Sequence, residues 1–206
     1  MSHANRLDDA LNEMNIGLEA AQKACLLQYL ALIGKWNRTY NLTAIHEPER
    51  MLTHHLLDSL AILPMVENTP LLDVGSGAGL PGIVLAIARP DLSVTLLDSS
   101  QKRCGFMQQV LIELRIGNAR VVHARAEDFQ PESKFGQIVS RAFSDLSEFV
   151  RVSRHLLEAG GVWLAMKGLF PNEEIAQLKG ARVSRDVKLH IPGLDAERHL
   201  IIMEMD

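Results

Sequence analysis

The sequence predicts an α/β fold: an open, mostly parallel sheet with a helical extension before it and an antiparallel hairpin at its C-terminal end. Three observations carry this. Strand-length apolar runs alternate with helix-length segments from residue 71 onward, a glycine-rich turn follows the first run, and the last two strand-like runs are joined by a short connection. Strand, helix, strand in repetition requires parallel strands with right-handed crossovers. A short connection favours an antiparallel return.

The elements follow in order. Leu26, Tyr29, Leu30, Ile33 and Trp36 give residues 18–37 one apolar helical face. Residues 49–63, ERMLTHHLLDSLAIL, read as a second helix bounded by Pro48 and Pro64. WNRTYNLTAIHEP between them reads as a loop. Residues 1–65 are assigned to the helical extension and 66–206 to the sheet domain. Strands are expected at 71–74, 93–98, 120–123, 137–140 and 161–166, rich in Val, Leu or Ile as suits burial on both faces. Leu80–Arg89 is a helix that must finish before Pro90. Gln101–Ile116 follows a Ser99-Ser100 cap and stops at Gly117-Asn118. Leu146–Leu157 is ended by Ala159-Gly160-Gly161. A short helix near 172–180 precedes VSRDVKLHI and RHLIIMEM, the hairpin strands, joined by PGLDAE.

Composition sets outer bounds. An apolar share of 47% and a charged share of 22% are those of an ordinary globular protein. A net charge of −4 argues against coating nucleic acid non-specifically and leaves room for a local basic patch. Cys25 and Cys104 form no C-x-x-C, so neither a disulfide framework nor a zinc site is indicated, and no metal is expected. The polar start lacks the apolar core of a secretory signal, and no run approaches the ~20 apolar residues of a membrane span. A cytoplasmic monomer is the expectation.

LLDVGSGAGLPG, residues 71–82, can be read in two registers. Gly77, Gly79 and Gly82 make a literal G-x-G-x-x-G, the mark of an NAD-dependent oxidoreductase, but Gly75-Ser76 then intervenes after the strand. From the aspartate the pattern is Asp73-x-Gly75-x-Gly77-x-Gly79, with a carboxylate at the strand end that orients the loop or accepts from a ligand amino group. A pyrophosphate gains nothing from that charge, whereas the ammonium of a methionine moiety does. S-adenosylmethionine is therefore the expected cofactor. Asp98, ending the second strand, is placed to accept from ribose hydroxyls. Ala126, Glu127 and Asp128 follow the third strand, where an adenine edge would lie. An open parallel sheet closed by an antiparallel pair is also the layout associated with methyltransferases using this cofactor.

The acceptor is read from the fourth strand end, VSRAF. No D/N-P-P-Y motif for an exocyclic amine and no nucleophilic cysteine for a pyrimidine carbon stands there, and Arg141 occupies the strand end. A ring nitrogen with a free lone pair, such as guanine N7, needs neither group. Cations gather at the same edge: between residues 99 and 125 the single acid Glu113 stands against Lys102, Arg103, Arg115, Arg120 and Arg125. Lys102 and Arg103 fall in the first turn of a helix, where positive charge costs about 0.3–1 kcal/mol each unless a polyanion approaches. Lys167 ends the fifth strand nearby. Trp36, Arg38 and Tyr40 could face RNA, although Trp36 continues an apolar helical face and is expected to pack in the core. Asp58 lies i+4 from His54, a pairing that serves to stabilise a helix.

In order and spacing, WNRTYNLTAI, HHLLDSL, LLDVGSGAGLPGIVLA, TLLDSSQKR, VSRAF and AMKG resemble the ribosomal RNA small subunit methyltransferase G family, formerly called glucose-inhibited division protein B. The likeness covers roughly residues 30–170. It implies a class I S-adenosylmethionine-dependent methyltransferase with a Rossmann-like sheet, acting on N7 of guanine 527 in the 530 loop of bacterial 16S rRNA, as free RNA or in a 30S particle. It also implies that Gly75 and Leu80 contact the cofactor, that Ala126 and Glu127 flank its adenine, and that Arg141 completes the site. Arg141 and Lys167 are thus the candidate catalytic residues, and Lys102, Arg103 and Lys167 the expected RNA contacts. Related sequences often carry Pro where Ala78 stands, and alanine is expected to leave the loop more mobile. A non-catalytic RNA-binding or assembly module on the same scaffold is the alternative.

Overall fold

A computed structural model describes residues 2–206. Its strands are β1 (Leu71–Val74), β2 (Val94–Asp98), β3 (Ala119–His123), β4 (Phe135–Ser140), β5 (Leu157–Lys167), β6 (Ala181–Lys188) and β7 (His199–Met205). They form one sheet in the order β3-β2-β1-β4-β5-β7-β6. The first five run parallel, and β7 lies antiparallel between β5 and β6. The order turns about β1 and β4, so the crevice beyond their carboxyl ends is where a ligand belongs.

Alternation along each strand divides the interior in two. Leu71, Leu96, Val139, Leu164 and Leu200 face a helical layer made by α1 (His3–Glu13), α2 (Ala20–Tyr40), α3, α4 (Gly82–Ala88) and α5 (Gln101–Glu113). Here α3 is Pro48–Met51, Leu52–Leu57 and Asp58–Leu60, of which the middle piece is π-helical. Leu72, Val74, Leu97, Ile138 and Trp163 face α6 (Leu146–Ser153) on the other side. Helices of the extension and of the sheet domain share one continuous apolar core.

The differences from expectation have local causes. Helix α1 was not foreseen, because its composition is polar; Ser2 caps it by accepting from the Asn5 N–H, and only Leu7, Ala10 and Leu11 are buried. Helix α5 stops at Glu113, before the predicted Gly117-Asn118, since Arg115 already takes a left-handed φ of 54°. Strand β3 is partly exposed rather than buried on both faces, because it is the sheet edge. Ala159-Gly160-Gly161 lies within the span of β5 instead of ending a helix: α6 closes at Ser153, and a Cβ at Gly161 would sit 2.7 Å from the Gly136 carbonyl of β4. The last short helix, α7 (Asn172–Ala176), is briefer than the predicted 172–180.

Candidate functional site

The glycine loop leaves β1 in left-handed conformations that side chains rarely adopt, with φ of 71° at Gly75, 62° at Gly77 and 89° at Gly79. Its backbone is tied to β2: the Gly75 and Ser76 N–H groups donate to the Leu97 carbonyl at 2.8 and 3.1 Å, and Gly77 N–H donates to Asp98 Oδ2 at 2.9 Å. Asp98 Oδ1 accepts from Ser100 N–H at 2.8 Å. One carboxylate therefore fixes both the loop and the start of α5. Beyond it opens a cleft of about 270 Å³, lined by Gly75, Asp98, Arg103, Ala126, Glu127 and Phe143 among others. A Cβ at Gly75 would lie 2.9 Å from Ala142 Cβ and close its inner end. An apolar floor, a buried carboxylate with lone pairs to spare for a diol, and an acidic turn at one end suit an adenosine-sized ligand.

Asp73 is not in that cleft. Strand alternation turns it toward α4, where it is fully buried and Oδ2 accepts the Gly82 N–H at 2.8 Å. Desolvation pushes its carboxyl up to about 7, against the pull of the Gly82 and Ser76 hydrogen bonds, and Oδ1 has no hydrogen-bond partner. Of its two expected roles, the geometry supports orienting the loop. Gly82 is the first residue of α4, and a Cβ there would meet Leu96 at 2.3 Å and Asp73 Oδ2 at 2.7 Å. Its bareness serves packing on the sheet, so the literal dinucleotide register loses its meaning. Gly79 and Leu80 are likewise buried under the loop, both donating to the Ser76 carbonyl. Ala78 is not left loose: its carbonyl accepts from the buried Tyr29 hydroxyl of α2 at 2.6 Å.

A second cleft begins one residue earlier in the segment that follows β4. Ala142 lines the first, whereas Arg141 lines the second with His54, His55, Asp58, Met166, Lys167, Arg198 and His199. Its centre is a carboxylate shared by two guanidiniums. Asp58, 3% exposed, accepts from Arg141 Nη1 through Oδ2 and from Arg198 Nε through Oδ1, each at 3.0 Å. Arg141 Nη1 also donates to the His54 carbonyl at 2.9 Å. The expected His54–Asp58 pairing does not form: His54 Nδ1 instead lies 3.0 Å from the Arg50 carbonyl, and the π-helical stretch carries Asp58 toward the arginines. His55 is buried against Thr43 Oγ1, 3.1 Å from its Nε2. Desolvation, then the Arg141 charge, lowers its pKa to about 4, so the ring is neutral near pH 7.

The remaining predicted residues divide. Arg103 Nη1 lies 3.7 Å from Asp98 Oδ2 and lines the first cleft, so its charge is met within the protein. Lys102 is exposed, with Nζ 5.1 Å from the Tyr40 ring centroid. Trp36 is partly buried: it packs on the core residue Phe106 and stacks on the exposed Tyr40 at 5.1 Å, so it lies at the core's rim rather than within it. Lys167 is no open cation: its side chain is 9% exposed, with Nζ 2.6 Å from Glu174 Oε2 and donating to the Phe143 carbonyl at 3.2 Å. Glu174 Oε2 in turn accepts the Leu146 N–H that opens α6. Lys167 thus braces the wall between the clefts. Sequence reasoning missed Arg198, Tyr29 and Glu174, and missed the arginine pair on Asp58. A lone acid in the apolar run HHLLDSLAIL was the available signal. Among the described residues no His, Cys, Asp or Glu cluster could hold a metal ion, and no helix is long and apolar enough to cross a membrane.

Known proteins resemble the chain at two depths. Its fold is shared with a methyltransferase from Aquifex aeolicus described as S-adenosylmethionine-dependent, at a TM-score of 0.62 and 16% identity over 79% of this chain and 96% of that one. A second, from Thiobacillus denitrificans in complex with S-adenosylhomocysteine, matches at 0.57 and 15% over 84% and 98%. Sequence likeness is far closer to the ribosomal RNA small subunit methyltransferase G of Laribacter hongkongensis, 54% identical over 98% of both chains. That of Chromobacterium violaceum is 53% identical over 98% of this chain and 97% of its own. The family model for rRNA small subunit methyltransferase G matches residues 22–201, and the chain belongs to that family.

Proposed function

We propose that the chain transfers the methyl group of S-adenosylmethionine to N7 of guanine 527, in the 530 loop of bacterial 16S rRNA. The observation that carries the reading is the adjacency of two unlike clefts, a nucleoside-sized one and a cationic one, which part at the consecutive residues Arg141 and Ala142 after β4. Bound in the first, the cofactor supplies an electrophilic sulfonium methyl. The fit rests on the glycine backbone at the inner end, on Asp98 for the ribose hydroxyls, and on Ala126 with Glu127 at the adenine end. Arg141 and Arg198 are donors only, so they suit the O6 edge of a guanine; methyl transfer requires that they bond O6 alone, since N7 is also an acceptor. N7 attacks with a lone pair and loses no proton. The second cleft therefore needs alignment rather than a general base. Its one carboxylate, Asp58, is already engaged by two guanidiniums, in keeping with such an acceptor.

The test is nucleoside analysis of 16S rRNA. A strain lacking the chain is expected to lose one N7-methylguanosine and to regain it on complementation; rRNA that keeps the modification would refute the assignment. Methylation of free rRNA, an assembly intermediate and the complete 30S particle, compared in one assay, identifies the form recognised.

A further inference from the structure

We propose that Leu169 and Phe170 form a stacking platform for an unpaired nucleobase of the RNA substrate, at the mouth of the cationic cleft. The proposal rests on the RNA methyltransferase reading above. Four large apolar side chains are exposed among the described residues: Tyr40, Ile112, Leu169 and Phe170. Tyr40 is already contacted by Trp36 and Lys102, and Ile112 stands alone on α5. Leu169 and Phe170, 74% and 36% exposed, are the adjacent pair. They leave the carboxyl end of β5 directly after Lys167 and Gly168, both of which line the cleft.

Phe170 is held by a near-perpendicular ring contact. Its ring meets His199, another cleft residue, at 5.5 Å and 68°. The turn is closed by the Asn172 N–H donating to the Phe170 carbonyl at 3.0 Å. A cation stands beside the loop on the cleft side: Arg198 Nη1, which donates to the Glu197 carbonyl, lies 3.8 Å from a Cβ built on Gly168, while the exposed Glu173 lies on the side of α7. An exposed apolar pair next to a guanidinium suits a partner that offers a flat π face and a phosphate within one residue, which is a nucleotide. An aliphatic side chain of a ribosomal protein would match the first feature and not the second.

The test uses the full chain, with 30S particles and free 16S rRNA from a strain lacking it as substrates. A second measurement follows binding of a labelled single-stranded oligoribonucleotide by fluorescence anisotropy. Phe170→Ala is expected to raise KM, and the oligonucleotide dissociation constant, by roughly tenfold, the order for one lost base stack. Neither kcat nor the affinity for S-adenosylhomocysteine should change, which also reports that the variant is folded. Phe170→Trp should restore binding and Phe170→Leu should not. Unchanged anisotropy for Phe170→Ala overturns the platform, and full rescue by leucine overturns base stacking in favour of an apolar protein contact. If the wild-type chain methylates no RNA, the functional reading fails, and the anisotropy series still decides the platform.

Discussion

The two clefts on either side of Arg141 and Ala142 are built by opposite means. The first is made largely of backbone: glycines in left-handed conformations, a loop bonded to β2, and one carboxylate that accepts two N–H groups. The second is made of side chains from distant parts of the chain, with Arg141 and Arg198 meeting Asp58 across 83 and 140 residues. A backbone cradle depends on short contiguous motifs and tolerates change elsewhere. A charge cluster assembled across the fold depends on how the helical layer seats against the sheet.

That contrast is testable first where the effect is largest. Asp58→Ala would leave two guanidiniums in the cleft without their carboxylate, and it should cost about 3–5 kcal/mol of stability, read by denaturant unfolding. Asp58→Asn keeps the shape and should abolish most methyl transfer while S-adenosylhomocysteine still binds; parallel loss of cofactor affinity would show that the clefts are one unit. Asp98→Ala strands the Gly77 and Ser100 N–H groups, and a calorimetric titration should show cofactor affinity reduced roughly a hundredfold.

A smaller effect separates the two regions by pH. Asp73, raised to about 7, is protonated in the fold at pH values where the unfolded chain is ionised, so its contribution falls as pH rises from about 4 to 7. His55, lowered to about 4, gives the opposite slope: stability rises from about pH 4 and levels off above the ordinary histidine value near 6.5. Between these limits the two oppose each other. Asp73→Asn should expose the rising limb and His55→Gln the falling one, as differences of a few degrees in melting temperature. Parallel profiles for both variants would contradict the assignment. Smallest of all, Lys102→Ala should weaken RNA binding by roughly twofold to fivefold and reduce its salt dependence, without changing cofactor affinity.

Legibility in the sequence follows the same division. The parallel sheet and the hairpin could be read from the alternation of apolar runs, and Gly75, Asp98, Ala126 and Glu127, each read at or after the end of a recognisable strand, line one cleft. Asp73 was placed at the correct strand end, but its facing depends on a two-residue alternation that puts it under α4. Lys167 was read as an open cation because Glu174, its partner, belongs to a short helix with no apolar signature. Arg198 opens what reads as an ordinary strand, and although the apolar run around Asp58 marks that acid as unusual, nothing in sequence joins it to either arginine. Charges that pair over long separations carry no periodic trace.

The π-helical piece of α3 bears on how such a cluster is inherited. A π-helical turn is geometrically an α-helix with one residue inserted, and it shifts the facing of everything after it by about 100°. The residues before it and the aspartate after it therefore obey different helical phases within a single segment. Straightening the segment into a regular α-helix with no residue lost would turn Asp58 by about 100° away from both arginines, although every chemical group of the cleft would still be encoded. The cleft therefore depends on a backbone irregularity as much as on the residues it carries.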